Sequence, residues 1–360
     1  MLNDFYLVPP PTGNATLDDE NVDNALSSGK GVIQFDGGTY VLSTQKTIPT
    51  GVQFRGLGRG TTVLKISNSS NLGNLFASGG TLADVSFEGI TFDGNYSGNA
   101  SSNQCLIYTA GYTCNRLRIT NCEFKNSRGP NLALGNGSGI LVQGCFFTAT
   151  QADCIRLQNP TDSVIIEGNY FTGYDAALGD VGAVYLYCNN GFVDNVTISG
   201  NAFKSTTGDH FSVETVCSNG YYARGLTITG NVFDGNSVGG SGISVIGHGA
   251  SIVGNVWRNG VSTTRSGIEW GGSEATISGN YISNGEIALS PSSPVSTGTN
   301  NIVAGNIIET TDSTNTNLFG ILCVSQDLLT VVDNTLDFTI SGSDVPPVFS
   351  STRLWSPGLM

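Results

Sequence analysis

Two carboxylates, Glu214 in "HFSVE" and Glu269 in "GIEWG", stand in short segments of matching alternation. A pair of carboxyl groups about 5–9.5 Å apart is what hydrolysis of a glycosidic bond requires. Asp209, beside His210 in "TGDHFSVE", is a further candidate acid. Arg156 in "CIRLQ" would neutralise a uronate, while His210 or Tyr187 would take the adjacent proton, which is the chemistry of β-elimination. Tyr185 and Tyr187 in "AVYLY", with Tyr221 and Tyr222 in "SNGYYARG", offer flat rings with a polar edge, suited to stacking on sugars, and Gln158 adds an amide. His248 in "GHG" is read as a turn residue, since no paired aspartates accompany it. No Ser/His/Asp grouping and no Gly-Lys phosphate loop is visible.

These residues are held by a repeat. "FEGITF", "ITNCEF", "VQGCFF", "IEGNYF", "ISGNAF", "ITGNVF", "IVGNVW", "ISGNYI", "VAGNII" and "VVDNTL" follow one another 23 to 32 residues apart. A drifting period of this length is expected when each repeat is one coil of a solenoid whose turns carry insertions. Asn169, Asn201, Asn231, Asn255, Asn280, Asn306 and Asn334 then fall at equivalent corners, pointing inward. There each side-chain amide meets its neighbour about 4.8 Å above and below, and the preceding Gly permits the bend. Cys122 and Cys145 occupy the same column in earlier coils.

A second alternating segment precedes each motif: "CIRLQ", "AVYLY", "HFSVE", "GISVI", "GIEWG", "EIALS" and "GILCV". Period-2 alternation puts their second and fourth residues inside, including Ile155 and Leu157, Val184 and Leu186, Phe211 and Val213, and Ile268 and Trp270. The first, third and fifth face outward, so Arg156, Tyr185, Ser212, Ser244 and Glu269 share a column and Glu214 sits one position beyond it. On that register Glu214 and Glu269 lie two rungs and two residues apart, about 12 Å between backbones. The turns "CNNGFVDN" and "TVCSNGYYARG" are long enough to wall a cleft beside this face.

Composition agrees. The 360 residues carry 49 Gly and only 12% charged residues, a mixture hostile to helices. A net charge of −13 argues against a nucleic-acid partner. No apolar run spans a membrane, and "MLNDFYLVPPP" has neither the basic start nor the apolar stretch of a signal peptide. Eight scattered cysteines lack CxxC spacing, so neither a metal nor any other cofactor is expected. They are read as reduced, with a Cys188–Cys217 disulfide as the alternative, because both follow matching strands on neighbouring coils.

The expected fold is all-β: a right-handed, single-stranded parallel β-helix over 31–340. A segment with a capping helix at 1–30 covers its open edge and a tail at 341–360 follows. In "TLDDENVDNAL", Thr16 is the expected cap, the acids from Asp18 to Glu20 suit the helix start, and Val22, Ala25 and Leu26 form the apolar face.

The stretch from Asp18 to Ile66, with "GKGVIQF", "GGTYVLS" and "TIPTGVQFRGLGRGTTVL", resembles the opening of the pectate-lyase-like superfamily, as found in bacteriophage tailspikes and polysaccharide-degrading proteins; Pro49, Gly51, Gly56, Gly58 and Gly60 carry the likeness. The resemblance implies a homotrimer on a virion, in company with other phage tail proteins, or action outside a cell, and a sugar-binding groove along one face. It points to a tailspike-like protein that binds and cleaves a bacterial surface polysaccharide, by hydrolysis or β-elimination. Two other classes remain open: a non-enzymatic virion or adhesion module binding host glycan, and a bacterial uronan lyase or epimerase.

Overall fold

Alternation of apolar and polar residues leaves each short strand one buried face, and in this chain the strands bury it by coiling. The computed structural model describes residues 4–338, apart from 102–103, 175–181, 205–210, 236–241, 260–266 and 311–319. Apart from one α-helix at Ala15–Leu26 and a single 3-10 turn, its described elements are β-strands. Every strand pairing is parallel, and successive coils stack into a solenoid of about 11 turns.

Three strand columns run along the axis. The first holds Gln53–Arg55 and Ser86–Glu88; the second holds Thr91–Asp93, Glu123–Lys125 and their successors; the third holds Val184–Cys188, Val213–Cys217, Ile243–Val245 and Ile268–Trp270. In the middle of the molecule the strands Leu132–Gln143 and Ile155–Glu167 run on from the third column into the first. That bend needs glycine: a Cβ on Gly137 would stand 1.6 Å from the Cys114 carbonyl oxygen of the coil before.

Inside, like stacks on like. Phe92, Phe124, Phe147, Phe171, Phe203 and Phe233 form one column with ring centroids 4.7 to 5.1 Å apart. At the corner between the first two columns stands the asparagine ladder. Asn231 Nδ2 donates to Asn255 Oδ1 at 3.0 Å and to the Ile198 carbonyl at 2.8 Å, while its own Oδ1 accepts from Asn201 Nδ2 and from the Asn201 backbone N–H. The same arrangement repeats from Asn169 to Asn334. Below it Asn169 Oδ1 accepts from the Cys145 backbone N–H, which confirms that Cys145 sits in the same column. The residue before each corner takes the left-handed conformation: glycine at most of them, such as Gly230 at φ +63°, and Asp333 at φ +52° before the last.

The N-terminal end differs in two details from expectation. Asn14, not Thr16, caps the helix: its Oδ1 accepts from the Thr16 and Leu17 N–H groups, the usual reach of a residue two or three places upstream. A strand at Phe5–Leu7 also pairs with Val32–Gln34, adding a rung beneath the first coil. Val22 and Ala25 are buried as expected, with Leu26 packed at their edge. Asp18 and Asp19 are buried too, and they bolt the helix to the first coil: Asp18 accepts from the Val41 N–H, and Asp19 from Ser43, Thr44 and the buried Lys46 ammonium. The tail at 341–360 lies outside the described residues.

Candidate functional site

The third column carries the polar face. Its inward positions are Ile155, Val184, Val213, Ile243 and Ile268 in register, so the outward residue next to each falls into line: Arg156, Tyr185, Glu214, Ser244 and Glu269. This corrects the register read from "HFSVE". Val213, not Phe211, stacks with Val184, and Glu214 joins the column in place of Ser212. A shift of two residues leaves an alternating pattern unchanged, so alternation had no power to fix it.

The correction brings the carboxylates closer. Glu214 and Glu269 stand two rungs apart in one column, about 10 Å between backbones at the spacing of parallel strands. Ser244, between them, donates from Oγ to Glu269 Oε2 at 3.0 Å. Glu214 is 9% exposed, and Glu269 is half-buried.

Below Glu214 the column is aromatic and cationic. Tyr185 and Tyr187 stack with ring centroids 5.8 Å apart, and the Arg156 guanidinium lies 5.3 Å from the first ring and 6.0 Å from the second. Asp153, fully buried, accepts from Arg156 Nε at 2.6 Å and holds the guanidinium in that place. Burial pushes the Tyr185 phenol above its ordinary value, and the charges of Glu214 and Asp153 add to this; Arg156 opposes it.

Gln158 and Tyr187 form the next outward column, in register. Tyr221 and Tyr222 sit in the turn that follows, edge-on to Phe192 at 5.2 Å each, and Arg224 covers the Phe192 ring at 3.7 Å while bonding Asp194. Both tyrosines are half-buried, and Tyr221 also packs on the core. His248 is not in a turn: it lies on the strand Gly247–Val253, exposed, 3.6 Å from Glu274 and beside Tyr222. Parallel pairing of His248 with Arg224 and Ser273 accounts for that placement. Asp209 and His210 lie outside the described residues.

Asp153, Tyr174 and Phe192 escaped the sequence reading. Asp153 precedes its strand, so alternation does not reach it; its one signal is the i, i+3 spacing to Arg156 in "DCIR". Tyr174, buried, bonds Ser212 at 2.9 Å from another part of the coil. Among the described residues no group of three or more His, Cys, Asp or Glu side chains is placed to hold a metal ion, and no helix is long and apolar enough to cross a membrane.

A parallel solenoid whose apolar columns build a rod, with stacked aromatics, an anchored arginine and carboxylates on one lateral face, defines the class of protein by its fold. Residues 12–256 match the family described as the right handed beta helix region, and the chain belongs to that family. No curated protein sequence matches it. Several solved structures share the fold. The DFA-IIIase of Arthrobacter chlorophenolicus A6 in complex with GF2 aligns with a TM-score of 0.64 at 15% identity, over 95% of this chain and 100% of that one. An exopolygalacturonase of Thermotoga maritima aligns at 0.64 and 10%, over 89% and 88%. PfbA, a surface adhesin of Streptococcus pneumoniae, aligns at 0.63 and 15%, over 93% of each chain. At such identities the likeness is one of fold.

Proposed function

We propose that this protein binds a bacterial surface polysaccharide on the third strand column and hydrolyses it, with Glu214 and Glu269 as the carboxyl pair and Tyr185, Tyr187 and Tyr222 as sugar platforms. The observation that carries this reading is the single outward column Arg156–Tyr185–Glu214–Ser244–Glu269, set on coils whose inward residues are all apolar. Two carboxyl groups on backbones about 10 Å apart, with a hydroxyl between them, leave room for the attacking water of an inverting hydrolase. Fold neighbours that include an exopolygalacturonase and a DFA-IIIase add support. Action outside a cell, on a virion as part of a tailspike-like homotrimer, is the setting the sequence resemblance suggests.

Elimination is less well served. Its cation, Arg156, already neutralises buried Asp153, and of its two candidate bases Tyr187 stacks on Tyr185 while His210 lies outside the described residues. Binding without cleavage is the second reading; the stacked Tyr185–Tyr187 pair would serve it equally well, and an adhesin shares the fold.

Incubating the protein with capsular or lipopolysaccharide glycans separates the three. Hydrolysis releases oligosaccharides with new reducing ends, elimination releases products absorbing in the near ultraviolet, and an adhesin binds and releases neither. Glu214→Gln is expected to slow release by about 10²-fold or more while binding persists. Release at the wild-type rate in that variant removes Glu214 from the chemistry, and light scattering that finds a single chain removes the trimer.

A further inference from the structure

Two sulfurs meet at the edge of the third column. The strands Val184–Cys188 and Val213–Cys217 pair in register over five residues, so Cys188 stands opposite Cys217 on the next coil. Parallel neighbours lie about 4.8 Å apart, inside the roughly 4.4–6.8 Å between the Cα atoms of a disulfide, so closing the bond asks only a small approach of the two Cβ atoms, to about 3.5–4.5 Å. Both thiols are free.

Their accessibility differs. Cys188 is fully buried, whereas Cys217 is partly open, because the next strand, Ile243–Val245, pairs only with Val213 and Glu214 before its coil turns away. Past that point Ile246 donates its N–H to Thr215 Oγ1, and its carbonyl is 3.8 Å from the Cys217 sulfur. Cys122 and Cys145 also occupy adjacent rungs, since Glu123 pairs with Phe146, but both are sealed in the core. The Cys188 thiol hydrogen-bonds the Cys217 sulfur and holds it below the value of a free thiol. A partly open sulfur with a buried partner opposite it on the next coil is the arrangement of an attacking and a resolving cysteine.

We propose that Cys188 and Cys217 are a thiol–disulfide exchange site, which closes into a cross-link between neighbouring coils when the chain meets a small disulfide such as oxidised glutathione. The Cys217 thiolate attacks one glutathione sulfur and expels the other as glutathione thiolate, which takes up a proton. Cys188 then loses its proton and attacks the Cys217 sulfur, expelling the second glutathione. The balance is one protein disulfide formed, one small disulfide reduced and two thiols released. The bond fastens the coil carrying Tyr185 and Tyr187 to the coil carrying Glu214, so it lies under the candidate groove without belonging to it.

The test uses the full reduced chain, treated with oxidised glutathione under native conditions, then alkylated and mapped by mass spectrometry. The expected product has lost two alkylatable thiols and two hydrogens and yields a Cys188–Cys217 linked peptide. Cys188→Ala traps one glutathione on Cys217, and Cys217→Ala takes up none. The proposal is overturned by an unchanged thiol count in the native wild type. It is also overturned by a cross-link recovered elsewhere, such as Cys122–Cys145, or by Cys217→Ala being oxidised at the wild-type rate.

Discussion

Replacing Asn231 by Ala strikes the ladder at its middle, and the structure sets the cost. The carboxamide is fully buried and makes four hydrogen bonds: two donated, to Asn255 Oδ1 and the Ile198 carbonyl, and two accepted, from the Asn201 N–H and Asn201 Nδ2. Truncation strands two donors of Asn201 where no water reaches, while Asn255 Oδ1 keeps the bond from the residue 231 backbone N–H. At about 1–3 kcal/mol for each buried group left unsatisfied, the loss is about 4 kcal/mol. The same change at Asn334 removes bonds from Asn306 N and Nδ2, but this last rung is half-exposed, and water replaces much of what is lost. Its cost is about 1 kcal/mol. Guanidinium unfolding of the two variants, followed by far-ultraviolet circular dichroism, reads the contrast as a shift in midpoint at constant slope. If Asn231→Ala costs no more than Asn334→Ala, the amides are not cooperating through a buried column and the account of the corner is wrong.

Three further outcomes follow from the site and the cap. Because the Tyr185 phenol is raised by burial and by Glu214, its contribution to stability is intact below pH 10 and is lost as alkaline pH ionises the unfolded chain first; an ultraviolet difference titration of wild type against Tyr185→Phe should show that this tyrosine ionises last, and a normal titration would contradict the packing described. Lys46→Met leaves Asp19 buried with only Ser43 and Thr44 as donors, so stability should fall by about 3 kcal/mol, seen as a lowered denaturation midpoint and earlier proteolysis at the N-terminal helix. Burial raises the Asp19 carboxyl, but bonds from Lys46 and Ser43 outweigh it and hold the group below its ordinary value; the cap is therefore secure at neutral pH and should loosen as the pH falls from the ordinary carboxyl range through that lowered value, a dependence that Lys46→Met should weaken.

The sequence by itself determined the rod. Recurrence of a Gly-Asn pair after a β-branched run marks a corner in the left-handed conformation and an amide that meets a like amide one coil away, so ladder and parallel stacking were legible in one dimension, while the phenylalanine column emerged only from the structure. The inward positions Ile155, Val184, Ile243 and Trp270 followed from the same alternation, because burial of one face is a local demand. What alternation does not carry is the offset between coils. Moving "HFSVE" by two residues keeps every side chain on its own face, and only hydrogen bonding to the neighbouring strands chose Val213 over Phe211, which put Glu214 between Tyr185 and Ser244. Asp153 under Arg156 and the Tyr174–Ser212 bond were invisible for a related reason: they join places that the chain reaches only after turning a corner, and no local pattern records which corner it turned.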